Sequence, residues 1–313
     1  MNRTLSLSTS WHYKRSENGT DLIAKAVELG FDNMELNFHI KQKVFEDIKR
    51  SIADFDLRIS SLHNICPVTP EMEKVKDYSN FFSFSVKDKE IRKKAVELSE
   101  RTLVNAAEFD AKPVVFHLGE AGEGELRIEE KEFAKPFKKE LKKNQTVTDF
   151  FDGLLEKREA IKAPYLDNVR RCLDYLVPVA EKLGVVIGIE NRYYISQIPN
   201  FDEVGVLLDE YDSPHIGFWY DSGHAANISN LGYWDYLEWL KAYKSRLVAV
   251  HLHDCRAAQD HLPPGSGDID WSELNELLPA DILCTLELNP STPEENLIEG
   301  VNYLRDEIKL IKK

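Results

Sequence analysis

The sequence is poor in cysteine and in long apolar runs. Its four cysteines, Cys66, Cys172, Cys255 and Cys284, lie far apart in 313 residues and form no CxxC pair. This spacing argues against a disulfide framework and is typical of reduced thiols. No apolar stretch approaches the roughly 20 residues that cross a bilayer, and residues 1–6 have no signal-peptide core. We therefore expect a cytoplasmic protein with no membrane partner.

Positive charge is also scarce. The chain has 40 Lys and Arg residues against 54 Asp and Glu residues, so its formal net charge is −14. A surface of this sign repels phosphate backbones, which makes nucleic acid an unfavourable partner. The one Lys-rich run, 138–143, is interrupted by Glu140. The sequence has neither an internal repeat nor a linker, so we expect one domain over residues 1–313.

Short apolar runs that resemble strands alternate with longer segments that resemble helices. Strands are predicted at 5–10, 33–36, 58–62, 113–116, 185–189, 216–220, 247–250 and 282–286. Helices are predicted at 21–29, 41–54, 89–109, 201–210, 233–243, 271–278 and 294–311. A further helical stripe consists of Leu166, Val169, Leu173, Leu176 and Ala180. Strict alternation indicates parallel βαβ units, and eight of them favour an α/β fold with a single (β/α)8 TIM barrel over an open doubly wound sheet.

The fourth and fifth predicted strands are separated by nearly 70 residues. Charged residues dominate 125–145, which is typical of a solvated helical segment, and Pro164 suits the first turn of the helix that follows. We therefore expect a charged helical insertion at about 120–163, after strand four. It leaves from the carboxyl end of a strand, so a lid and a surface insertion without function remain equal alternatives.

From the second to the eighth, the predicted strands end at or near residues that can bind metal or transfer a proton. These residues are Glu35, His63, His117, Glu190, Asp221, His251 and Glu287. One such residue alone is usually a helix cap or a solvated charge, but a parallel barrel brings all seven to the face that carries active sites. Crowded carboxylates repel one another unless a cation binds. Mixed carboxylate and imidazole ligands suit Mn, Zn, Co or Fe, with Mg as a weaker candidate.

Further candidates follow the last strands. His224 ends the tight turn after the sixth strand, and His253 lies two residues beyond the end of the seventh. The Pro-Pro-Gly run at 263–265 predicts a rigid loop that aims Asp260 and His261 back over the site. For His253, a hydrogen bond to a metal ligand is as well supported as metal binding itself.

Taken in order, these segments resemble the motifs of the xylose isomerase-like barrel superfamily. That superfamily holds sugar and sugar phosphate isomerases and epimerases together with AP endonucleases of the endonuclease IV type (AP endonuclease family 2). The motifs are Ser-Leu-His-Asn at 61–64, Phe-His-Leu-Gly at 116–119, Ile-Glu-Asn at 189–191, Asp-Ser-Gly-His at 221–224, His-Leu-His-Asp at 251–254, His-Leu-Pro-Pro-Gly-Ser-Gly-Asp-Ile-Asp-Trp at 261–271 and Leu-Glu-Leu at 286–288. The resemblance covers nearly the whole chain.

The resemblance implies a set of metal ligands. The sugar isomerase branch holds its metal with residues that match Glu190, Asp221, His251 and Glu287. The endonuclease branch adds ligands that match His63, His117, His224 and His261. Asp260 is an imperfect fit to that branch because it is adjacent to His261, and the usual Gly-Glu-Gly is Gly-Ser-Gly at 265–267. One to three divalent ions are therefore compatible with the motifs.

The resemblance also implies an activity, a metal-dependent isomerase or epimerase that acts on a small-molecule sugar through an enediolate. Glu190 and Glu287 would be the acid–base pair. The substrate contacts expected are Trp11, Glu35, His117, Arg192, His224 and His253; for Arg192, pairing with an acid of the site is equally well supported. The alternatives are an AP endonuclease, which the acidic charge disfavours, a dehydratase or hydroxypyruvate isomerase, and a non-catalytic sugar-binding barrel. Substrate, metal and homo-oligomerisation stay open, although the absence of a glycine-rich phosphate cradle favours a free sugar.

Overall fold

Eight parallel strands close into a barrel. The computed structural model describes residues 3–74, 82–137 and 140–311. The strands are β1 (Leu5–Ser8), β2 (Asn33–Leu36), β3 (Arg58–His63), β4 (Pro113–Phe116), β5 (Val186–Glu190), β6 (Ile216–Asp221), β7 (Leu247–Leu252) and β8 (Leu283–Leu286). Each pairs in parallel with its neighbours in this order, and β8 closes the barrel against β1. The predicted (β/α)8 TIM barrel is confirmed, and all the carboxyl ends lie on one face.

The interior of the barrel beneath that face is filled by Trp219 from β6. Its side chain packs with Val115 and Ala249, and its ring centroid lies 4.8 Å from that of the His251 imidazole. Gly188 on β5 leaves the space for this ring, because a Cβ there would lie 2.9 Å from the indole. The apolar strands therefore form a rigid floor under the residues at their ends.

The helices follow the strands along the chain. They are α1 (Gly19–Glu28), α2 (Gln42–Ser51), α3 (Lys89–Glu108), α4 (Glu125–Ala134), α5 (Gln145–Ile161), α6 (Ala163–Leu183), α7 (Phe201–Glu210), α8 (Ser222–Asn230), α9 (Tyr236–Tyr243), α10 (Trp271–Leu277) and α11 (Glu294–Asn302). Pro164 lies in the first turn of α6, as predicted. Among the described residues, no helix is both long and apolar enough to cross a membrane.

Several predicted boundaries differ from the structure by one to three residues, and the end of the last helix differs by more. The first strand ends at Ser8 rather than Ser10, because the Ser8 hydroxyl accepts a hydrogen bond from the Ser10 N–H and starts a 3₁₀ turn. The last helix, predicted to reach residue 311, ends at Asn302 and passes into a π-helical turn at Tyr303–Glu307.

Two antiparallel ribbons were not predicted. Gly119–Glu120 pairs with Gln197–Ile198, and Asp254–Arg256 pairs with Gln259–Leu262. Strands of two to four residues are too short to show a recognisable alternation of apolar and polar side chains. Both ribbons follow barrel strands on the carboxyl face, so they shape the surroundings of the strand ends.

The segment predicted to be a solvated insertion contributes a second apolar core. Leu126 of α4 and Phe151 of α5 are buried with Ile195 and Leu231, which belong to the loops after β5 and β6. Lys138 and Lys139 of the Lys-rich run lie outside the described residues. The segment is thus helical, but its apolar face packs over the carboxyl face of the barrel instead of facing water.

Candidate active site

A cavity of about 400 Å³ opens over the carboxyl ends of the strands. Its wall contains eight of the predicted site residues, namely His63, His117, Glu190, Arg192, His224, Asp260, His261 and Glu287. The other five, Trp11, Glu35, Asp221, His251 and His253, are fully buried and do not line it. The structure thus separates the predicted residues that line the cavity from those that lie behind its wall.

Four of these residues converge on one point. Nδ1 of His251 lies 2.9 Å from Oε1 of Glu190 and 3.1 Å from Oε2 of Glu287. It lies 3.6 Å from Oδ2 of Asp221. The four ligand atoms are all within 4.8 Å of one another. Three carboxylates around one imidazole nitrogen form the donor set that a divalent cation such as Mn, Zn or Co prefers.

The electrostatics of this cluster fit a cation. Burial would raise the pKa of Glu190, yet the Arg192 guanidinium beside it holds that pKa well below its usual value. Burial would lower the pKa of His251, but the carboxylates of Glu287 and Glu35 raise it well above the usual value. Negative charge therefore gathers around His251, and a bound cation would balance it.

Glu35 supports His251 from below. Both of its carboxylate oxygens lie 3.2 Å from Nε2 of His251, and they accept hydrogen bonds from the hydroxyls of Ser8 and Ser61. This contact orients the ring so that Nδ1, and not Nε2, faces the other three carboxylates. A carboxylate behind a ligand histidine is the usual way in which proteins fix such a ring.

Asp221 is held by the start of the helix that follows it. Its Oδ1 accepts a hydrogen bond from the His224 N–H at 2.7 Å, which caps α8. The side chain of Asn191 pairs with the backbone of Asp221 through two further hydrogen bonds. The cap uses Oδ1, whereas Oδ2 lies 2.9 Å from Nε2 of His253 and 3.6 Å from Nδ1 of His251, on the side of the four-residue cluster.

His253 bridges Asp221 and the loop beyond β7. Its Nε2 lies 2.9 Å from the Asp221 carboxylate, and its Nδ1 accepts a hydrogen bond from the backbone N–H of His261. Gly223 makes room for this ring, because a Cβ there would lie 2.1 Å from it. His253 therefore positions a ligand and a loop and does not reach the cavity.

The remaining histidines form two flanking groups. His63 and His117 lie with Glu190 in one group, and His224, His253 and His261 form the other. Burial, together with the neighbouring Arg192, lowers the pKa of His117 to about 4. Both His63 and His117 carry a buried Nδ1 that has no hydrogen-bond partner in the structure. Neutral imidazoles of this kind suit metal binding, so the group of His63, His117 and Glu190 is compatible with a further ion.

The loop after β7 carries Asp260 and His261 over the cavity. Oδ2 of Asp260 lies 2.9 Å from Nδ1 of His261 and 3.9 Å from Nε2 of His224. Burial would lower the pKa of His261, but Asp260 raises it to about 9. His261 therefore carries positive charge at neutral pH when no metal is bound.

Of the predicted substrate contacts, Trp11, Glu35 and His253 do not line the cavity. Trp11 is fully buried, and its indole N–H donates a hydrogen bond to the carbonyl of Thr292 at 2.9 Å. Arg192 lines the cavity but forms an ion pair with Glu190. In the structure, Arg192 thus pairs with an acid of the site, which was the alternative to a substrate contact.

Several residues of the cavity, or directly behind it, escaped the sequence analysis. Asn37 follows β2, is buried, and donates a hydrogen bond from Nδ2 to Oε1 of Glu287 at 2.8 Å. Phe38 places its ring 4.7 Å from that of His63, and Phe38, Tyr13, Lys131 and Tyr194 line the cavity. Asn37 could have been found from the sequence, because it directly follows a predicted strand. Lys131 belongs to the insertion, and nothing in its local sequence points to the site.

Comparison with known proteins agrees with this geometry. Residues 23–307 match the model of the family described as xylose isomerase-like TIM barrel. The chain is 33% identical over 122 residues to an uncharacterized protein of Methanocaldococcus jannaschii, a match that spans 36% of this chain and 39% of that protein.

Two solved structures share the fold. One is a D-tagatose 3-epimerase-like protein, with a TM-score of 0.68, 19% identity and 98% of each chain covered. The other is the 3-keto-D-glucoside 4-epimerase of E. coli, with a TM-score of 0.67, 18% identity, and 97% of this chain and 99% of that chain covered. The family match extends over nearly all of the described residues, and this chain therefore belongs to the xylose isomerase-like TIM barrel family.

Proposed function

We propose that the protein is a metal-dependent sugar isomerase or epimerase with Glu190 and Glu287 as its acid–base pair. The observation that carries the proposal is the position of these two carboxylates. Of the four clustered ligands, they line the cavity, whereas Asp221 and His251 lie behind its wall. Carboxylates that reach the substrate can remove and return a proton at the carbon next to a carbonyl.

The four clustered residues would hold one Mn, Zn, Co or Mg ion, with His251 binding through Nδ1. When bound, the cation supplies Lewis-acid polarisation of the sugar carbonyl and balances the charge of the enediolate. The chain supplies the rest of the chemistry. Asn37 donates a hydrogen bond to Oε1 of Glu287 and so orients this carboxylate toward the cavity. The Arg192 ion pair keeps Glu190 ionised.

The positions of the two carboxylates favour epimerisation. Glu190 ends β5 and Glu287 follows β8, and two other strands separate these in the barrel. Side chains from such separated strands approach a bound sugar from different sides, which suits removal of a proton from one face and its return to the other. The two similar solved structures are named for sugar epimerisation, which supports a small-molecule sugar as the substrate.

A second candidate, a phosphodiesterase of the AP endonuclease type, is favoured by one observation. The flanking histidine groups adjoin the central cluster, as a multinuclear site that activates water would require. The net charge of −14 opposes binding to a DNA backbone. Cleavage of an abasic oligonucleotide, without proton exchange into any sugar, would establish this candidate and overturn the first.

Solvent exchange tests the proposal directly. The metal-loaded protein is incubated in D2O with a panel of ketoses and 3-keto sugars, and ¹H NMR follows deuterium at the carbon next to the carbonyl. We expect exchange with at least one sugar, and Glu190→Gln and Glu287→Gln should each lower its rate by at least 100-fold, as loss of general acid–base catalysis does. Glu299→Gln, at an exposed position on α11, is the matched control and should keep the full rate. Exchange that survives both site substitutions would rule out this acid–base pair.

A further inference from the structure

A chain of side-chain hydrogen bonds runs from the wall of the cavity over the strand ends to Glu287. His39 lines that cavity, and its Nδ1 lies 2.5 Å from Oδ1 of Asn37. The other end of the same amide, Nδ2 of Asn37, donates to Oε1 of Glu287 at 2.8 Å. Asn37 is fully buried and does not line the cavity. His39 and Glu287 therefore both lie on the cavity wall, while the residue that joins them lies behind it.

The direction of both hydrogen bonds follows from the chemistry of the amide. An Asn side chain accepts through Oδ1 and donates through Nδ2. Because Oδ1 of Asn37 faces Nδ1 of His39, the imidazole must carry its proton on Nδ1, since two acceptors that face each other repel. Both donors then point toward the Glu287 carboxylate. Hydrogen bonds aligned in this way polarise and strengthen one another.

The reversed orientation of the Asn37 amide is the arrangement that this chain excludes. If the amide turned over, Oδ1 would face the carboxylate of Glu287 and Nδ2 would face the N–H of His39. One contact would then join two acceptors and the other two donors, which is unfavourable for buried groups. The backbone at this position is also held, because the N–H of Asn37 donates to Oγ1 of Thr9 at 2.8 Å.

The imidazole of His39 is held in place by two aromatic side chains. Its ring centroid lies 4.2 Å from that of Tyr13, with 21° between the planes, and 4.3 Å from that of Phe38, with 31° between the planes. Burial, together with the nearby Lys14, lowers the pKa of His39 to about 4, so the ring is neutral at pH 7 and carries one N–H. Ring packing thus fixes the plane of the imidazole, and the amide fixes its tautomer.

We propose that His39 is a positioning residue for Glu287 and acts through Asn37. The imidazole N–H fixes the orientation of the Asn37 amide, and the amide in turn holds the Glu287 carboxylate toward the other metal ligands. Without that N–H the amide can rotate, and its hydrogen bond to Glu287 is lost for part of the time. The inference rests on the proposed role of Glu287 as metal ligand and proton-transfer group, but it can be tested without turnover.

Nitrogen-15 NMR of the metal-free protein tests the chain of hydrogen bonds itself. At pH 7 we expect the proton of His39 on Nδ1, because Oδ1 of Asn37 needs a donor there. The signals of this ring are assigned by their disappearance in His39→Phe. A ring that carries its proton on Nε2 in the native protein would overturn the proposal.

Competition with a chelating dye tests whether the chain of hydrogen bonds affects Glu287. His39→Phe keeps an aromatic ring and removes the N–H, and we expect it to weaken Mn binding about fivefold, the effect of one lost hydrogen bond. His39→Asn removes the ring but keeps an N–H that is separated from Cβ by the same number of bonds as Nδ1, so its affinity should stay within twofold of the native value. Equal losses, or a larger loss in His39→Asn, would indicate a packing role and overturn the proposal.

A double-mutant cycle tests the path through Asn37. Asn37→Ala should weaken Mn binding about 10-fold or more, as loss of a group that holds a metal ligand does. His39→Phe should cause no further loss in that background, because its effect needs the amide. Losses that multiply in the double variant would contradict the proposed path. Circular dichroism verifies that each variant is folded.

His215→Phe is the matched control for His39→Phe. His215 is another half-buried histidine, and its Nδ1 lies 2.8 Å from a backbone carbonyl oxygen, that of Val185. It does not line the cavity, so its replacement should leave the Mn affinity at the native value.

Deuterium exchange into a sugar separates this inference from the proposed function. At saturating Mn, His39→Phe should lower the exchange rate, and Asn37→Ala should lower it without a further loss in the double variant. A native protein that shows the coupled losses of Mn affinity but exchanges no sugar proton would refute the proposed function alone. Sugar exchange by a protein whose Mn affinity is indifferent to His39→Phe would overturn the positioning role alone.

Discussion

Glu35 provides the sharpest test of how the metal cluster is built. We expect Glu35→Gln to weaken binding of the divalent ion while the barrel stays folded. Glu35 contacts Nε2 of His251 with both oxygens at 3.2 Å, and no other ionisable group holds that nitrogen among the described residues. The amide keeps the shape of the side chain, its oxygen can still accept from one serine hydroxyl and its nitrogen can donate to the other, but it removes the charge that orients the imidazole and makes it a stronger ligand.

The expected magnitude follows from the role of such contacts. Removing a group that orients a metal-bound histidine typically costs about 10–100-fold in metal affinity, which corresponds to about 1.4–2.8 kcal/mol. The loss should be in metal affinity and in sugar proton exchange together, because both depend on Nδ1 facing the three carboxylates. The thermal midpoint of the metal-free protein should change far less than that of the metal-loaded protein.

Competition with a chelating dye measures the affinity for Mn and Zn, and calorimetry gives the two thermal midpoints. Glu130→Gln is the control, since Glu130 is another buried carboxyl and lies outside the metal cluster; it should keep the native metal affinity. Metal affinity within twofold of the native value in Glu35→Gln would refute the reasoning. So would an equal loss of stability in the metal-free and metal-loaded states, which would indicate a general packing role.

Three further predictions concern stability. Adding Mn or Zn at 100 times its dissociation constant should raise the free energy of unfolding by about 2.7 kcal/mol, and EDTA should reverse this; a thermal midpoint indifferent to both would contradict a metal site. The pKa of Glu130 is raised to about 8, so the folded state holds a proton that the unfolded state loses near pH 4.5. Stability should therefore fall as pH rises from 5 to 8, by up to about 1.4 kcal/mol per pH unit, and Glu130→Gln should flatten this slope. Arg158 pairs with Glu203 in a fully buried ion pair, so Arg158→Met should cost about 3–5 kcal/mol in urea unfolding. The double variant Arg158→Met with Glu203→Leu should recover part of this loss, and an additive loss instead would contradict an isolated buried charge as its cause.

The barrel could be predicted because its evidence is local. Runs such as 113–116 and 185–189 are apolar at every position, as strands covered on both faces must be. In a barrel of parallel strands all the carboxyl ends lie on the same face. Glu190, Asp221 and His251 therefore had to share that face. The ring of strand-end residues thus follows from periodicity and topology alone.

The direction of each side chain could not be predicted in this way. Glu35 was expected to touch the substrate, but the structure places it below His251, because Ser8 and Ser61 on the adjacent strands hold it there. Trp11 follows a strand but turns away from the cavity toward the carbonyl of Thr292. Such choices depend on partners that are 26, 27 or 281 positions away in the chain, and no local pattern encodes them.

The insertion also has one property that the sequence predicts, its helices, and one that it does not, the packing of those helices. Its charge predicted helices exposed to water, yet Leu126 and Phe151 build a second core against the loops after β5 and β6, and a cavity lies within it. A few apolar residues among many charges give only a weak local signal for a buried face. They can still form a core where the fold brings them against other apolar residues. By itself the sequence determined the barrel, the one face at which its strands end and the ionisable residues at those strand ends, because strand periodicity and parallel order are properties of the chain. Tertiary structure alone decided which of those residues line the cavity and which lie behind it, because that depends on hydrogen bonds and packing between distant segments.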